Sequence, residues 1–160
     1  MTRAYVALGS NLEHPAKQIR AAYAALATLP NTRLVCCSSL YCTTPVGYRE
    51  QPDFINAVAE IDTGLTATDL LQALLGVEAR FGRVRTFRNA PRVLDLDLLW
   101  FDGESRSDPL LTLPHPRMHE RAFVLIPLNE IAPDLMLGEH GSVRERVLKI
   151  DCAGVTRMTE

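Results

Sequence analysis

Long apolar runs are missing from this chain: none approaches the ~20 residues that a membrane-spanning helix needs. Bulk charge is missing too. A net charge of −2 gives no overall field toward nucleic acid or an anionic membrane, so neither is expected as a partner. The four cysteines (Cys36, Cys37, Cys42, Cys152) show no CxxC spacing, and neighbouring Cys36 and Cys37 would point to opposite faces of a strand. Reduced, structural thiols in a cytoplasmic protein are the expectation. The chain starts directly in a strand-like pattern, Arg3-Ala4-Tyr5-Val6, which leaves no room for a signal peptide. Neither a Walker GxxxxGK[ST] loop nor a kinase-type glycine-rich loop occurs, which excludes the commonest ATP sites. Lysine is nearly absent: of 17 basic residues only Lys17 and Lys149 are lysines. Arginine presents a planar fork that meets phosphate oxygens two at a time, so a local arginine cluster matters inside a near-neutral protein.

At 160 residues the length fits one domain, without repeats, low-complexity tracts or linkers. Residues 3–8 read as a buried strand stopped by the turn cluster Gly9-Ser10-Asn11, and residues 14–27 as a helix ended by Pro30. Residues 33–41 and 54–63 read as strands, the latter alternating Ile55, Ala57, Ala59 and Ile61 against Phe54, Asn56, Val58 and Glu60. The loop between them, residues 42–52, is too long for a tight hairpin, and loops of that length often carry function. Residues 66–81 form the clearest helix, capped by Thr66 with Asp69 three residues on. A strand at 94–101 follows an arginine-rich loop, and short helices are expected near 118–130 and 143–150. The order β-α-β-β-α-β defines an α+β, ferredoxin-like sandwich with a mainly antiparallel sheet, as a single domain.

In Leu94-Asp95-Leu96-Asp97-Leu98-Leu99-Trp100-Phe101 alternation puts Leu94, Leu96, Leu98 and Trp100 on one face. Asp95 and Asp97 share the other, about 7 Å apart along the backbone. Two carboxylates side by side repel unless they point to solvent or share a cation, and hard oxygen ligands suit Mg²⁺. Arg80, Arg83, Arg85, Arg88 and Arg92 precede them, with no acidic residue between Gly82 and Asp95. Guanidinium groups beside a carboxylate–metal pair match a polyphosphate, whose transfer relies on positioning and charge neutralisation. A solvated basic loop, or arginine–aspartate pairing without a ligand, is the plainer alternative. His115 lies between Pro114 and Pro116, and can face phosphate or satisfy a loop carbonyl. His14, His119 and His140 read as solvated surface residues. Asn56, flanked by Phe54 and Val58, fits either a ring slot with an amide at its edge or plain core packing.

Arg88-Asn89-Ala90-Pro91-Arg92-Val93-Leu94-Asp95-Leu96-Asp97-Leu98-Leu99 resembles the signature of the 6-hydroxymethyl-7,8-dihydropterin pyrophosphokinase family of folate biosynthesis. So do Leu8-Gly9-Ser10-Asn11, Gln51-Pro52-Asp53-Phe54-Ile55-Asn56-Ala57, Gly82-Arg83-Val84-Arg85, and Pro114-His115 with Arg121-Ala122-Phe123, all in the family's order. The resemblance covers residues 4–133, and the tail past Leu137 is uninformative. It implies transfer of an intact pyrophosphoryl group from ATP to the pterin hydroxymethyl oxygen, with AMP leaving. It further implies two Mg²⁺ ions on Asp95 and Asp97, catalytic roles for Arg83 and Arg92, and ATP contacts from Glu78, Arg85, Arg88, Arg92, Thr112, His115 and Arg121. The pterin would meet Thr43, Val46, Phe54, Asn56, Asp95 and Phe123. Arg80 drops out, being left in the preceding helix. Asn89-Ala90 replaces a common Trp-Gly, Phe54 a common Tyr, and Pro116 a frequent aromatic. A monomer working on small-molecule substrates is expected. A catalytically inert ferredoxin-like binding module and a γ-phosphoryl kinase are the competing readings.

Overall fold

The computed structural model describes residues 1–44, 50–82 and 92–158. Strand β1 (Thr2–Ser10) forms the middle of an antiparallel sheet, between β4 (Phe54–Thr63) and β5 (Asp95–Phe101). Beyond β4, β2 (Thr32–Cys37) and β3 (Tyr41–Thr43) share one edge, and β8 (Val155–Arg157) adds to β3. Reduced to its four main positions, this is the expected ferredoxin-like arrangement. Helix α1 (Pro15–Ala27) and helix α2 (Ala67–Arg80) cover one face, where Ile19, Leu26, Leu70, Leu74 and Val77 bury against Val6, Leu8, Leu96 and Leu98. Helices α3 (Ala122–Ile131) and α4 (Val143–Val147) cover the other, with Val124, Leu125, Leu128 and Val143 on Tyr5, Ala7, Val58 and Leu99. A small hairpin, β6 (Arg106–Ser107) with β7 (Thr112–Leu113), follows β5.

Thr66 caps α2 as expected, its hydroxyl accepting from the Asp69 amide at 3.1 Å. Four local readings change. Gly9 and Ser10 are not a turn: β1 runs through them, pairing Gly9 with both Asn56 and Asp95. Residues 33–41 are two strands, because Ser38 interrupts the ladder. Its amide donates to Val58 O at 2.9 Å, while its hydroxyl, not a backbone carbonyl, takes the Val58 amide at 2.9 Å. The register between β1 and β5 shifts at Tyr5/Val6, so Leu99 is an extra residue and alternation breaks there. Trp100 therefore leaves the face of Leu96 and Leu98 and sits edge-on to Tyr5, ring centroids 5.8 Å apart. Asp95 and Asp97 precede the bulge and keep their common face. Finally, residues 118–130 do not form one helix. A 3₁₀ turn (Met118–Glu120) and α3 are separated by Arg121, whose backbone is extended.

Candidate active site

All the strand ends that carry named residues meet at one end of the sheet. β1 finishes there with Gly9 and Ser10, β5 starts with Asp95, β4 starts with Phe54, and β3 ends at Thr43. The register sets Gly9 between Asn56 and Asp95, Ala7 opposite Asp97, and Thr43 opposite Phe54. A side chain on Gly9 would put its Cβ 3.0 Å from Asn56 Oδ1. The flat backbone of Gly9 is thus the floor over which the amide and the carboxylates converge.

That floor lies under a cavity of about 530 Å³, within the usual range for a small-molecule site. Thr43, Phe54, Asn56, Arg92, Asp95, Asp97, Arg121 and Phe123 line it, which brings together eight of the residues singled out from the sequence. Asn56 is buried, and its Nδ2 donates to Thr43 Oγ1 at 2.7 Å. The amide is therefore oriented, with Oδ1 over Gly9. Arg92 lies over the Phe54 ring, 4.8 Å from its centroid, and its Nη1 is 3.4 Å from Asp95 Oδ2. Arg121 lies over Phe123 at 5.8 Å. Each aromatic wall of the cavity thus carries a guanidinium.

Arg92 is held from behind by Asn11, which is 1 % exposed. The Arg92 amide donates to Asn11 Oδ1 at 2.9 Å, and Asn11 Nδ2 donates to Gln51 Oε1 at 2.7 Å and Pro52 O at 3.0 Å. One buried amide thereby fixes both the start of β5 and the approach to β4.

His115 does not line the cavity but lies within the fields of Asp95 and Arg121. Its Nδ1 accepts from the Arg117 amide at 3.2 Å, which leaves the proton on Nε2. Burial first, and then the positive field of Arg121, pull its pKa down to about 4, so the free protein holds it neutral. Glu78, 3 % exposed, accepts from the Leu96 amide at 2.7 Å, at the outer edge of β5. Thr112 is in β7, next to β5 but outside the cavity. Arg83, Arg85, Arg88 and Val46 lie outside the described residues. His119 is not a solvated residue: it stacks on His140, centroids 3.8 Å apart, with 19 % of its side chain exposed. Cys36, Cys37, Cys42 and Cys152 are all free thiols.

Asp95 and Asp97 offer a divalent cation only two protein carboxylates. Among the described residues no group of three or more His, Cys, Asp or Glu side chains forms a ready-made cage. That donor set fits Mg²⁺, which takes one or two carboxylates and completes its shell with water and phosphate oxygens. No helix among the described residues is long and apolar enough to cross a membrane.

Several residues of the wall are not singled out by the sequence: Glu120, and above all Asp151, Ala153, Gly154 and Val155 from the tail, while Gly9 stands in a family motif but reads there as a turn. Gly9 could have been found by noting that it falls on the face of Tyr5 and Ala7. The tail gave no local signal.

Comparison with known proteins identifies the family. Residues 5–133 match the sequence profile of the family described as 7,8-dihydro-6-hydroxymethylpterin-pyrophosphokinase. A 2-amino-4-hydroxy-6-hydroxymethyldihydropteridine pyrophosphokinase of Pseudomonas aeruginosa is 47% identical over 156 residues, covering 98% of this chain and 96% of the relative. One of Methylorubrum extorquens is 48% identical over 158 residues, covering 99% of each. Among solved structures, the HPPK-DHPS of Plasmodium falciparum superposes with a TM-score of 0.73 at 14% identity. That alignment spans 98% of this chain and 47% of that longer one, a likeness of fold alone. The class is thereby defined: the chain is a transferase that moves a diphosphate group. It belongs to the 7,8-dihydro-6-hydroxymethylpterin-pyrophosphokinase family and transfers pyrophosphate to hydroxymethyldihydropterin in folate biosynthesis, with ATP as co-substrate.

Proposed function

We propose that the cavity over Gly9 is where the two substrates meet, with the pterin ring toward Thr43 and Asn56 and the triphosphate toward Asp95, Asp97 and Arg92. The observation that carries this reading is the register, which sets Asn56 and Asp95 on either side of Gly9. An amide that reads a ring edge and a carboxylate pair that suits metal-bound phosphate then share one floor. Asn56 Oδ1, fixed by the bond to Thr43, accepts from the N–H groups of the pterin edge. Phe54 and Phe123 take the ring faces, and Val46 adds backbone contact by family resemblance.

Asp95 and Asp97 hold the Mg²⁺, two ions in this reading. Bound magnesium supplies charge neutralisation on the triphosphate and lowers the pKa of the acceptor hydroxyl. The hydroxymethyl oxygen attacks the β-phosphorus, the bridge between the α- and β-phosphates breaks, and AMP leaves with the bond electrons. Asp95, register partner of Gly9, takes the hydroxyl proton in this reading. Arg92 and Arg121 meet phosphate oxygens from the walls, and neutral His115, outside the lining, joins them by family resemblance through Nε2. Arg83, Arg85 and Arg88 complete the phosphate set by family resemblance. Glu78 and Thr112 lie beside the nucleoside, along the outer edge of β5. Residues 1–160 work as a single domain, as a cytoplasmic monomer without nucleic-acid or membrane partners.

Nucleotide analysis after incubation with MgATP and 6-hydroxymethyl-7,8-dihydropterin tests the reading. AMP formed in equal amount to the pterin diphosphate is expected. ADP would signal γ-phosphoryl transfer and overturn it.

A further inference from the structure

The tail is built into the acceptor side of the site. β8 pairs antiparallel with β3, Thr43 facing Val155 and Tyr41 facing Arg157. The pairing is closed at both ends, by Thr44 N to Gly154 O at 3.3 Å and by Met158 N to Leu40 O at 2.9 Å. A tight turn leads into it, with the Ala153 amide donating to Asp151 Oδ1 at 2.9 Å and the Val155 amide to Cys152 O at 3.4 Å. Gly154 in that turn has φ +83, and a Cβ there would fall 2.8 Å from Thr44 Oγ1. Positive φ and direct contact with a β-branched neighbour are separate grounds for glycine at this one position.

We propose that residues 151–155 form the outer wall of the acceptor slot and that Gly154 is a positioning residue for acceptor binding. This rests on the reading that the pterin edge binds over Gly9 at Asn56. Gly154 fixes where Thr44 stands, Thr44 continues from Thr43, and Thr43 Oγ1 holds the Asn56 amide. A side chain at 154 moves Thr44 away from the tail and turns the amide with it. The carboxylates on β5 lie across β4 and β1 from this contact. Pterin recognition therefore depends on the tail, whereas ATP binding does not.

The test uses the full chain. Gly154→Ala is expected to raise the acceptor Kd and KM at least fivefold, with the MgATP Kd within twofold of wild type. Adding Thr44→Ala removes the opposing oxygen and is expected to restore the acceptor KM to within about twofold of Thr44→Ala alone. Should Gly154→Ala fold poorly, Gly154→Asn presents the same Cβ in a residue that accepts positive φ. Folded variants with wild-type acceptor affinity would overturn the proposal. So would equal losses for acceptor and MgATP that track a fall in Tm, which would mark a merely structural role. Asn56→Ala distinguishes the two levels: unchanged acceptor binding in that variant would sink the placement of the pterin itself, not the role of the tail alone.

Discussion

Asn56 Nδ2 donates to Thr43 Oγ1 across 2.7 Å, a bond between two buried side chains on neighbouring strands. It decides which end of the amide the cavity meets. With Nδ2 engaged, Oδ1 remains to accept from a ligand, and a pterin edge offers N–H donors. Asn56→Ala removes this acceptor and leaves Thr43 without its donor. Each such bond is worth about 0.5–1.5 kcal/mol, so acceptor affinity should fall by roughly two- to tenfold with little change for MgATP. Titration of each substrate separately would measure this. An equal loss for both would place Asn56 in the framework instead.

The parts of the site that were legible in the sequence are those that depend on local order. Period-2 alternation puts Asp95 and Asp97 on one face whatever the strand pairs with, and Asn56 joins Phe54 on the site face of β4 in the same way. What escaped depends on pairing between distant segments. Gly9 looked like a turn because glycine before Ser-Asn usually is one. Only its neighbours Asn56 and Asp95 show why a bare backbone is needed there. Simple alternation puts Trp100 on the wrong face because the bulge at Leu99 arises from register with Tyr5 and Val6, which no local pattern encodes. β8 is three residues long, mostly exposed, and made a strand by β3. The family resemblance supplied roles, but it ended before the tail that closes the cavity.

Arg92 stands over Phe54 while facing Asp95, and its backbone is bonded to Asn11. A planar fork can cover a ring and keep hydrogen bonds in its own plane, which an ammonium cannot do. Arg92→Lys should preserve charge and fold yet lower kcat/KM by about 100-fold, on the order of 2.7 kcal/mol of transition-state stabilisation. Steady-state kinetics beside a thermal melt would decide it. Near-wild-type kcat/KM would mean that a point charge suffices.

His115 should remain neutral until far into the acid range. Its pKa of about 4 in the free protein lies below the ordinary 6.5, through burial and then the field of Arg121. The unfolded chain therefore binds the proton first as pH falls. The contribution of His115 to stability is complete above 6.5 and is lost as pH drops from 6.5 toward 4. Imidazole chemical shifts followed from pH 8 to 3.5 should show a midpoint near 4, and a midpoint near 6.5 would refute the half-buried, cation-flanked setting. His115→Gln should flatten the pH dependence of Tm in that window.

The carboxylate pair on β5 is the centre of the account, and Asp97→Ala tests it most directly. Rapid-quench measurement of a single turnover, with MgATP and acceptor both saturating, isolates the chemical step from binding and release. If Asp97 holds magnesium against the triphosphate, this rate should fall by roughly a thousandfold or more, about 4 kcal/mol, while the melting temperature stays close to that of the wild type. A rate within tenfold of wild type, or a loss of rate matched by a collapse in Tm, would contradict it.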